Sequence, residues 1–344
     1  MLIRGLRPIK SVAIAILAAS VILTPVVSSA ASASTRKTEV QKSKKLVEGP
    51  RLFLGQFEAQ SVVGNTTNQP SSVPVRVFLP PSYHTHPDRR FPVIYFLHGY
   101  GSRTSITQNI EELDDIMTAK TMQEFIIVEP TSANAFYANS LAKGKWEDAI
   151  VKDLVGWTDA QFRTVAQPSA RGITGFSMGG FGSLYLGLRH PEVFQAVFSM
   201  APGLVDDDAL KTMKESWNET IMNDYAMSFA PDPANPAKGL IPKFDGSPED
   251  EAILQQWREG FGHIEKKVAA YQASGKRLAG LGLFVGTHDS YRWLIQGTKR
   301  LDQILNREGI PHRFELTEND HSFSEDYIAT RIIPFFSFYL SGNP

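Results

Sequence analysis

One short stretch near the middle of the chain constrains the fold more than any other. An apolar run ends at Ile173-Thr174, Gly175-Phe-Ser-Met-Gly179 follows, and residues 181–189 can form a helix. A Gly-x-Ser-x-Gly turn between a strand and a helix typically holds its serine in a strained conformation, while the glycines let the two elements pass closely. The pattern predicts that Ser177 projects from the carboxyl end of a parallel strand, above a helix N-terminus that favours negative charge. The alternative is a glycine-rich turn with an ordinary serine, so partners must be found elsewhere.

The composition is that of a globular protein with a sizeable core. The chain has 344 residues, of which 42% are hydrophobic and 21% charged, enough for one large domain or two small ones. A net charge of -1 gives no reason to expect a nucleic-acid partner. The absence of cysteine excludes disulfides, thiolate catalysis, cysteine-based zinc sites and a lipoprotein anchor.

The N-terminus predicts export. Residues 1–33 combine a basic front, an apolar segment at 11–23, a break at Pro25 and a small-residue cleavage site at Ala31-Ser-Ala33. Removing this segment leaves 32 basic and 36 acidic residues, a net charge of -4. We expect a secreted or periplasmic protein without stable membrane association, preceded by a disordered polar leader at 34–50. The alternative is an N-terminal segment retained as a membrane anchor.

The remaining chain, 51–344, alternates predicted strands and helices. Residues 52–63 have the pattern of an antiparallel edge strand, and continuous apolar runs indicate strands buried on both faces. Besides this edge strand and the strand before Gly175, the predicted strands are 73–79, 91–97, 125–128, 196–200, 281–285 and 313–316. The predicted helices are 107–119, 146–165, 291–308 and 326–340. This order indicates an α/β fold with a mostly parallel sheet and helices on both faces.

Residues 204–276 interrupt that alternation. Two helical stretches, 208–229 and 249–274, flank a proline-rich link at 231–248. We interpret the segment as a partly helical insertion over the catalytic edge of the sheet, forming a partial cap rather than a separate domain.

The predicted base is His321. An activated serine needs a histidine, and a loop that follows the last strand can bring one to the sheet edge where Ser177 lies. His321 follows strand 313–316 in such a loop. Five other histidines are less suitable: His84 and His86 lie in a polar turn, His190 at a helix end, His263 within the insertion and His312 at a strand start. The alternative for His321 itself is a solvated loop residue.

The predicted orienting acid is Asp289, which follows strand 281–285. It gives the order serine, acid, histidine along the chain that this type of fold shows. The alternatives are Asp206, Asp207 and Asp208, which are better explained as a cap for the insertion helix, and Asp320, which is adjacent to the histidine.

Backbone N–H groups are the expected oxyanion donors. Met178 supplies one, and the loop His98-Gly-Tyr-Gly-Ser102 supplies the other, with Tyr100 preferred and Gly101 second. The His98 ring is an alternative base, but it is better explained as an anchor for this loop.

Aromatic and polar residues near these positions are candidate substrate contacts. Tyr291 and Trp293, which follow the acid, are candidates to line an acyl or aromatic pocket, as are Trp217 and Trp257 of the insertion. Packing in the core or the cap is the alternative for these four residues. Tyr137 and Asn139, which follow strand 125–128, are candidate contacts at the pocket rim.

Four segments together resemble the esterase D family of α/β-hydrolases. They are Phe91-Pro-Val-Ile-Tyr-Phe-Leu-His-Gly99, Trp146-Glu-Asp-Ala-Ile-Val-Lys-Asp-Leu154, Gly172-Ile-Thr-Gly-Phe-Ser-Met-Gly-Gly-Phe-Gly-Ser-Leu184 and Arg189-His-Pro-Glu-Val-Phe194. The family includes S-formylglutathione hydrolases, feruloyl and acetylxylan esterases and mycolyltransferases. The resemblance implies Ser177, Asp289 and His321 as a triad and the amides of Met178 and the loop after Leu97 as oxyanion donors.

The chain departs from that family in three places. Phe176 stands where a histidine is common, Pro130-Thr-Ser-Ala-Asn134 replaces a frequent Asp-Gly turn, and the insertion 204–276 has no counterpart in the family motifs that carry the resemblance. The insertion leaves the substrate open.

These observations together predict a secreted serine carboxylesterase that uses an acyl-enzyme and requires no metal or organic cofactor. Its expected partner is a small-molecule or carbohydrate-linked ester. Two alternatives remain: an acyltransferase with the same triad, and a non-catalytic binding protein that keeps the fold.

Overall fold

The computed structural model describes residues 51–101, 105–107, 110–118, 122–235, 237–324 and 326–340. The predicted signal segment 1–33 and leader 34–50 lie outside the described residues. Within the described ranges, no helix combines the length and the apolar character needed to cross a bilayer.

A central sheet of eight strands organises the described chain. Its strand order is β1-β2-β4-β3-β7-β8-β9-β10, and a two-stranded hairpin, β5-β6, stands apart. The strands are β1 Leu52–Glu58, β2 Ser72–Phe78, β3 Val93–Leu97, β4 Ile126–Pro130, β5 Asn139–Ser140, β6 Gly144–Lys145, β7 Arg171–Phe176, β8 Ala196–Met200, β9 Gly280–Gly286 and β10 Arg313–Thr317.

The sheet is mostly parallel, as the sequence predicts. β1 pairs antiparallel with β2 and β2 antiparallel with β4, whereas the neighbours from β4 to β10 are all parallel. Every residue of β3, β7, β8 and β9 is buried. These strands are the apolar runs of the sequence, because a parallel sheet covered on both faces has no solvated side.

Helices surround the sheet. They are α1 Ile110–Thr118, α2 Trp146–Asp148, α3 Val155–Gln161, α4 Met178–Arg189, α5 Leu210–Glu215, α6 Glu219–Phe229, α7 Pro248–Glu259, α8 Ile264–Ala273, α9 Arg292–Arg307 and α10 Ile333–Tyr339. The π-helical segments Ala149–Leu154 and Ile328–Ile332 join α2 to α3 and precede α10. The predicted helix 146–165 is therefore one helical run that contains a π segment and ends four residues early.

Three predicted elements are shorter or broken. The first strand ends at Glu58, and the 3₁₀ turn Gln60–Val62 replaces its second half. The predicted helix 208–229 is interrupted between α5 and α6, where the Asn218 side chain accepts a hydrogen bond from the Ile221 N–H and starts a new helix. The predicted helix 249–274 is interrupted between α7 and α8, where His263 has a positive φ of 49°.

The insertion packs through aromatic side chains onto the core of the sheet and its helices. Phe261, between α7 and α8, lies 4.8 Å from Phe181 of α4 and 6.0 Å from Trp293 of α9, measured between ring centroids. Inside the insertion, the Tyr225 hydroxyl donates to the Trp257 carbonyl at 2.7 Å. The insertion thus shares a continuous apolar core with α4 and α9.

Candidate active site

The turn between β7 and α4 holds Ser177 in a strained conformation. Ser177 has φ 58° and ψ -114°, which a non-glycine residue rarely adopts. A Cβ at Gly179 would lie 1.9 Å from the Leu97 carbonyl oxygen, and one at Gly175 would lie 2.4 Å from the Gly179 oxygen. Both positions therefore require glycine, because the backbones of the turn and of β3 pass in direct contact.

Three side chains from distant parts of the chain meet at this turn. The distance from Ser177 Oγ to His321 Nε2 is 2.9 Å, and that from His321 Nδ1 to Asp289 Oδ2 is 2.6 Å. They are delivered by loops at the carboxyl ends of β7, β10 and β9, which lie on one edge of the sheet. The structure therefore brings together the three residues that the sequence singles out.

Asp289 is held in a fixed orientation. Its side chain is fully buried, with 0% exposure, and its Oδ1 accepts a hydrogen bond from the Tyr291 N–H at 2.8 Å. One carboxylate oxygen thus binds backbone and the other faces the histidine, a geometry that sets the imidazole tautomer with Nε2 toward Ser177.

The alternative acids have other partners. Asp207 Oδ2 lies 3.1 Å from His263 Nδ1, Asp206 lies 4.0 Å from Arg300, and Asp320 accepts a hydrogen bond from Ser322 at 2.5 Å. Asp206 does precede the turn Asp207–Ala209, but its side chain makes no capping hydrogen bond there. The expected capping role is therefore wrong for the Asp206 side chain.

The loop after β3 is tied down by hydrogen bonds. The Ser132 N–H donates to His98 Nε2 at 2.9 Å, so His98 Nδ1 carries the proton and donates to the Gly99 carbonyl at 2.6 Å. Burial lowers the pKa of His98, which keeps its ring neutral. This agrees with the interpretation of His98 as a loop anchor rather than a base.

The two candidate donors of this loop differ in their backbone contacts. The Gly101 N–H already donates to Asn134 Oδ1 at 2.8 Å, which favours Tyr100 as the loop's oxyanion donor. On the other side, Met178 is the first residue of α4, where backbone N–H groups lack helical acceptors. Gly99, Tyr100, Met178 and Ser177 line one cavity.

That cavity measures about 230 Å³ and is walled mainly by aromatic rings. None of its lining residues is Asp, Glu, Lys or Arg, as far as the described residues go. The rings and aliphatic side chains around the serine, the histidine and the loop come from Phe136, Phe176, Trp217, Ile221, Phe261, Tyr291, Trp293 and Leu294. Such a wall suits a neutral, apolar group next to Ser177.

The candidate substrate contacts divide into two groups. Tyr291, Trp293 and Trp217 line this cavity, as predicted. The rim position expected for Tyr137 is wrong: its side chain has 0% exposure, and its hydroxyl donates to the His98 carbonyl at 2.9 Å. Tyr137 therefore supports the loop from below.

Asn139 and Trp257 also lie away from the serine. Asn139 lines a separate cavity beside α4, and its Oδ1 accepts a hydrogen bond from the Asp148 N–H at 3.2 Å. Trp257 is fully buried inside the insertion and donates to the Leu240 carbonyl at 2.8 Å. Neither residue lines the cavity beside Ser177. Trp257 therefore packs within the insertion, which is the alternative given for it, and Asn139 lines a different cavity from the one whose rim it was expected to form.

In the loop after β4, sequence reasoning named Tyr137 but missed Asn134 and Phe136. Ala133, Asn134, Phe136 and Tyr137 all have positive φ, between 45° and 55°. This strained loop places Phe136 in the cavity wall and Asn134 on the Gly101 amide. The signal available in the sequence was the departure from the family pattern at 130–134.

Phe176, a second departure, packs against the predicted base. Its ring centroid lies 4.9 Å from that of His321 and 5.2 Å from that of Phe323. It therefore shields one side of the imidazole from solvent. Among the described residues, no cluster of three or more His, Asp or Glu side chains could hold a metal ion.

Comparison with known proteins identifies the family of this chain. A sequence model named Esterase, described as "Putative esterase", matches residues 66–327. The chain belongs to this esterase family. The match spans more than half of the chain and includes all three residues that meet at the turn.

One relative with a curated name is distant in sequence. An esterase of Mycobacterium tuberculosis is 25% identical over 292 residues, which cover 80% of this chain and 57% of the relative. The chain thus spans little more than half the length of that curated relative.

Solved structures share the α/β-hydrolase fold. A fluorophosphonate-binding serine hydrolase of Staphylococcus aureus superposes with a TM-score of 0.57 at 18% identity, covering 86% of this chain and 100% of the other. A ferulic acid esterase of Anaeromyces mucronatus gives 0.53 at 17% identity, covering 87% and 94%.

Proposed function

We propose that this chain is an exported serine carboxylic-ester hydrolase that works through an acyl-enzyme. The observation that carries the proposal is the hydrogen-bonded series Asp289–His321–Ser177, with contacts of 2.6 and 2.9 Å, at the mouth of an apolar cavity. Membership of the esterase family and the names of its relatives support the same reaction class.

The geometry supports a two-step acyl transfer. His321 Nε2 takes the proton of Ser177 Oγ as that oxygen attacks an ester carbonyl, and the same proton is then given to the departing alcohol. Water, activated by His321, releases the acid from the serine in the second step. Asp289 keeps the imidazole in the required tautomer and stabilises its cation.

The oxyanion of each tetrahedral intermediate would be stabilised by backbone N–H groups of Met178 and Tyr100. One donor lies at the start of α4 and the other in the loop after β3, and both residues line the cavity that contains Ser177. Because they are held before the reaction begins, they cost no reorganisation when the charge develops.

The cavity supports an ester with a neutral acyl or aromatic group. Its volume of about 230 Å³ and its uncharged aromatic walls would exclude a carboxylated or phosphorylated acyl group, since an unpaired charge there would lose its hydration. The alcohol side of the ester remains a small molecule or a carbohydrate in this proposal, and no nucleic acid is involved.

A fluorophosphonate probe tests the proposal directly. We expect covalent labelling of the wild-type protein, no labelling of Ser177→Ala, and full labelling of the control Ser274→Ala, whose serine caps α8 away from the site. Hydrolysis of p-nitrophenyl esters should fall by about 10⁴-fold or more in Ser177→Ala. Labelling that persists in Ser177→Ala would instead favour the alternative of a non-catalytic binding protein with this fold.

The assay with p-nitrophenyl esters also separates hydrolysis from acyl transfer to an alcohol. Added sugar or long-chain alcohols compete with water for the acyl-enzyme, so ester products can be measured beside the free acid. We expect the acid to dominate, and a dominant ester product would reassign the protein as an acyltransferase.

A further inference from the structure

We propose that Asp224 and Lys143 are positioning residues that hold the oxyanion loop in its reactive form through the side-chain hydroxyl of Tyr100. This inference rests on the proposed function, because it assigns a role in the same reaction to residues outside the cavity wall. It also gives the insertion 204–276 a part in catalysis beyond covering the site.

The loop 98–101 is anchored from two separate parts of the chain. On the sheet side, Ser132, Asn134 and Tyr137 bind His98 and the Gly101 amide. On the opposite side, the Tyr100 hydroxyl donates to Asp224 Oδ2 of α6 at 2.5 Å. The Tyr100 side chain therefore links this loop to the insertion by a hydrogen bond.

Asp224 is itself held in place by an ion pair. Its Oδ1 lies 2.5 Å from Lys143 Nζ, and the two side chains have exposures of only 15% and 5%. Lys143 belongs to the turn between β5 and β6, and the Trp146 indole N–H donates to its carbonyl at 2.9 Å. A buried lysine next to a single carboxylate leaves that carboxylate little freedom to move.

A second contact fastens the same two elements. The Ser140 hydroxyl donates to the Met227 carbonyl of α6 at 2.5 Å. The β5–β6 hairpin thus holds α6 at two points one helical turn apart, and α6 in turn presents Asp224 to Tyr100.

The three groups have complementary charges and protonation states. Burial, followed by the hydrogen bond to Asp224, raises the pKa of Tyr100, so its hydroxyl remains a donor at neutral pH. Lys143 compensates the carboxylate that accepts this hydrogen bond. Without Lys143, a negative charge without its cation would lie next to the residue that binds a developing oxyanion.

The consequence for the reaction is specific. The Tyr100 N–H must lie within hydrogen-bond distance of an oxygen that becomes charged only in the transition state. Fixing the far end of the Tyr100 side chain restricts rotation of the Tyr100 backbone. The Tyr100 N–H therefore stabilises the transition state more than it stabilises bound substrate. A merely structural contact would change stability without changing this balance.

The first test is Tyr100→Phe, which removes one oxygen and keeps the ring. We expect kcat to fall by about 10-fold or more while KM changes by less than about 3-fold. Affinity for an alkyl boronic acid, which forms a tetrahedral adduct with a reactive serine, should fall by about the same factor as kcat. Asp224→Ala, which removes the acceptor altogether, should match Tyr100→Phe, and the double variant should be no worse than either single change, since both break one linkage.

Tyr185→Phe is the matched control. The Tyr185 hydroxyl also donates to a carboxylate, Glu147 Oε2, at 3.3 Å, but on the outer part of α4. We expect it to keep the wild-type kcat and boronate affinity. Thermal unfolding of each variant shows whether it is folded, and Tyr100→Phe provides the test if Asp224→Ala does not fold.

The outcomes distinguish this inference from the proposed function. An active wild type with an unchanged kcat in Tyr100→Phe would overturn the positioning role alone. So would a raised KM with unchanged kcat, which would make the hydroxyl a ground-state substrate contact. A wild-type protein that neither reacts with fluorophosphonate nor hydrolyses any ester would overturn the proposed function, and this inference with it.

Discussion

At the scale of single residues, the site depends on backbone strain that glycine makes possible. Ser177 keeps a positive φ because Gly175 and Gly179 allow β7, α4 and β3 to approach within distances that a Cβ would prohibit. The strain is maintained by the sheet around it, since the Ser177 N–H donates to the Met200 carbonyl of β8 at 2.9 Å. The glycines of the motif are thus required for packing, and its serine is the candidate nucleophile.

Asp289→Asn tests the orienting acid. An asparagine keeps the size of the side chain, but its amide can stabilise the wrong imidazole tautomer, so kcat should fall by about 10³- to 10⁴-fold with little change in melting temperature. Steady-state kinetics on a p-nitrophenyl ester measure this. Asp320→Asn is the control, because the Asp320 carboxylate binds Ser322 instead, and its kcat should stay near that of the wild type. A nearly active Asp289→Asn would exclude Asp289 as the acid.

At the scale of elements, the break between α5 and α6 shapes the cavity. Trp217 lies in this break, and its ring contacts Tyr225, Phe261 and Trp293 at centroid distances of 5.2 to 5.9 Å. The Trp293 indole N–H also donates to Ser216 at 3.0 Å, so α9 holds the break from the other side. An insertion residue therefore determines part of the space next to Ser177.

Trp217→Ala should shift the acyl preference. Removing the indole enlarges the cavity, so kcat/KM for octanoyl relative to acetyl p-nitrophenyl esters should rise by about 10-fold, a typical worth of one or two methylene groups in an apolar pocket. Trp157→Ala is the matched control, because Trp157 packs on Phe53 and Phe57, away from the cavity. It should lose stability without changing the ratio. An unchanged ratio in Trp217→Ala would place the acyl group elsewhere.

The carboxyl end of α4 carries a pH-dependent contact. His190 Nε2 lies 2.6 Å from Glu147 Oε1, and the hydrogen bond to Glu147 raises the pKa of His190. Because the folded-state pKa lies above the unfolded one, this contribution to stability is fully present below the ordinary histidine pKa and is lost as pH rises through the folded value.

His190→Gln tests that linkage. The difference in unfolding free energy between wild type and variant should be larger at pH 5.5 than at pH 8.5, by about 1 kcal/mol, the usual net worth of a hydrogen bond. Urea denaturation at the two pH values measures it. Equal differences at both pH values would show that the imidazolium does not stabilise the fold.

At the scale of the whole molecule, the order of strands and helices could be predicted because local patterns determine it. β8 matches the predicted 196–200 at both ends, and β9, α9 and β10 agree to within one or two residues. The three residues at the sheet edge could be predicted for the same reason, since each follows a recognisable strand.

What could not be predicted depends on contacts between distant segments. The burial of Tyr137 requires the missing side chain of Gly182, whose Cβ would lie 2.3 Å from the Tyr137 ring. Phe261 packs against Phe181 and Trp293, which lie in distant parts of the chain, and the hydrogen bond between Tyr100 and Asp224 joins residues 124 positions apart. No local period or spacing carries this information.

The position of β10 at the margin of the sheet has a consequence for biogenesis. The proposed base, His321, comes from the loop after this last strand, 144 positions beyond Ser177, so a chain that has formed everything through α9 still lacks it. Under the proposed mechanism, such a nascent polypeptide would be inert toward esters. Ester hydrolysis would then begin only when β10 has docked on the sheet, so the appearance of activity would report the completion of folding.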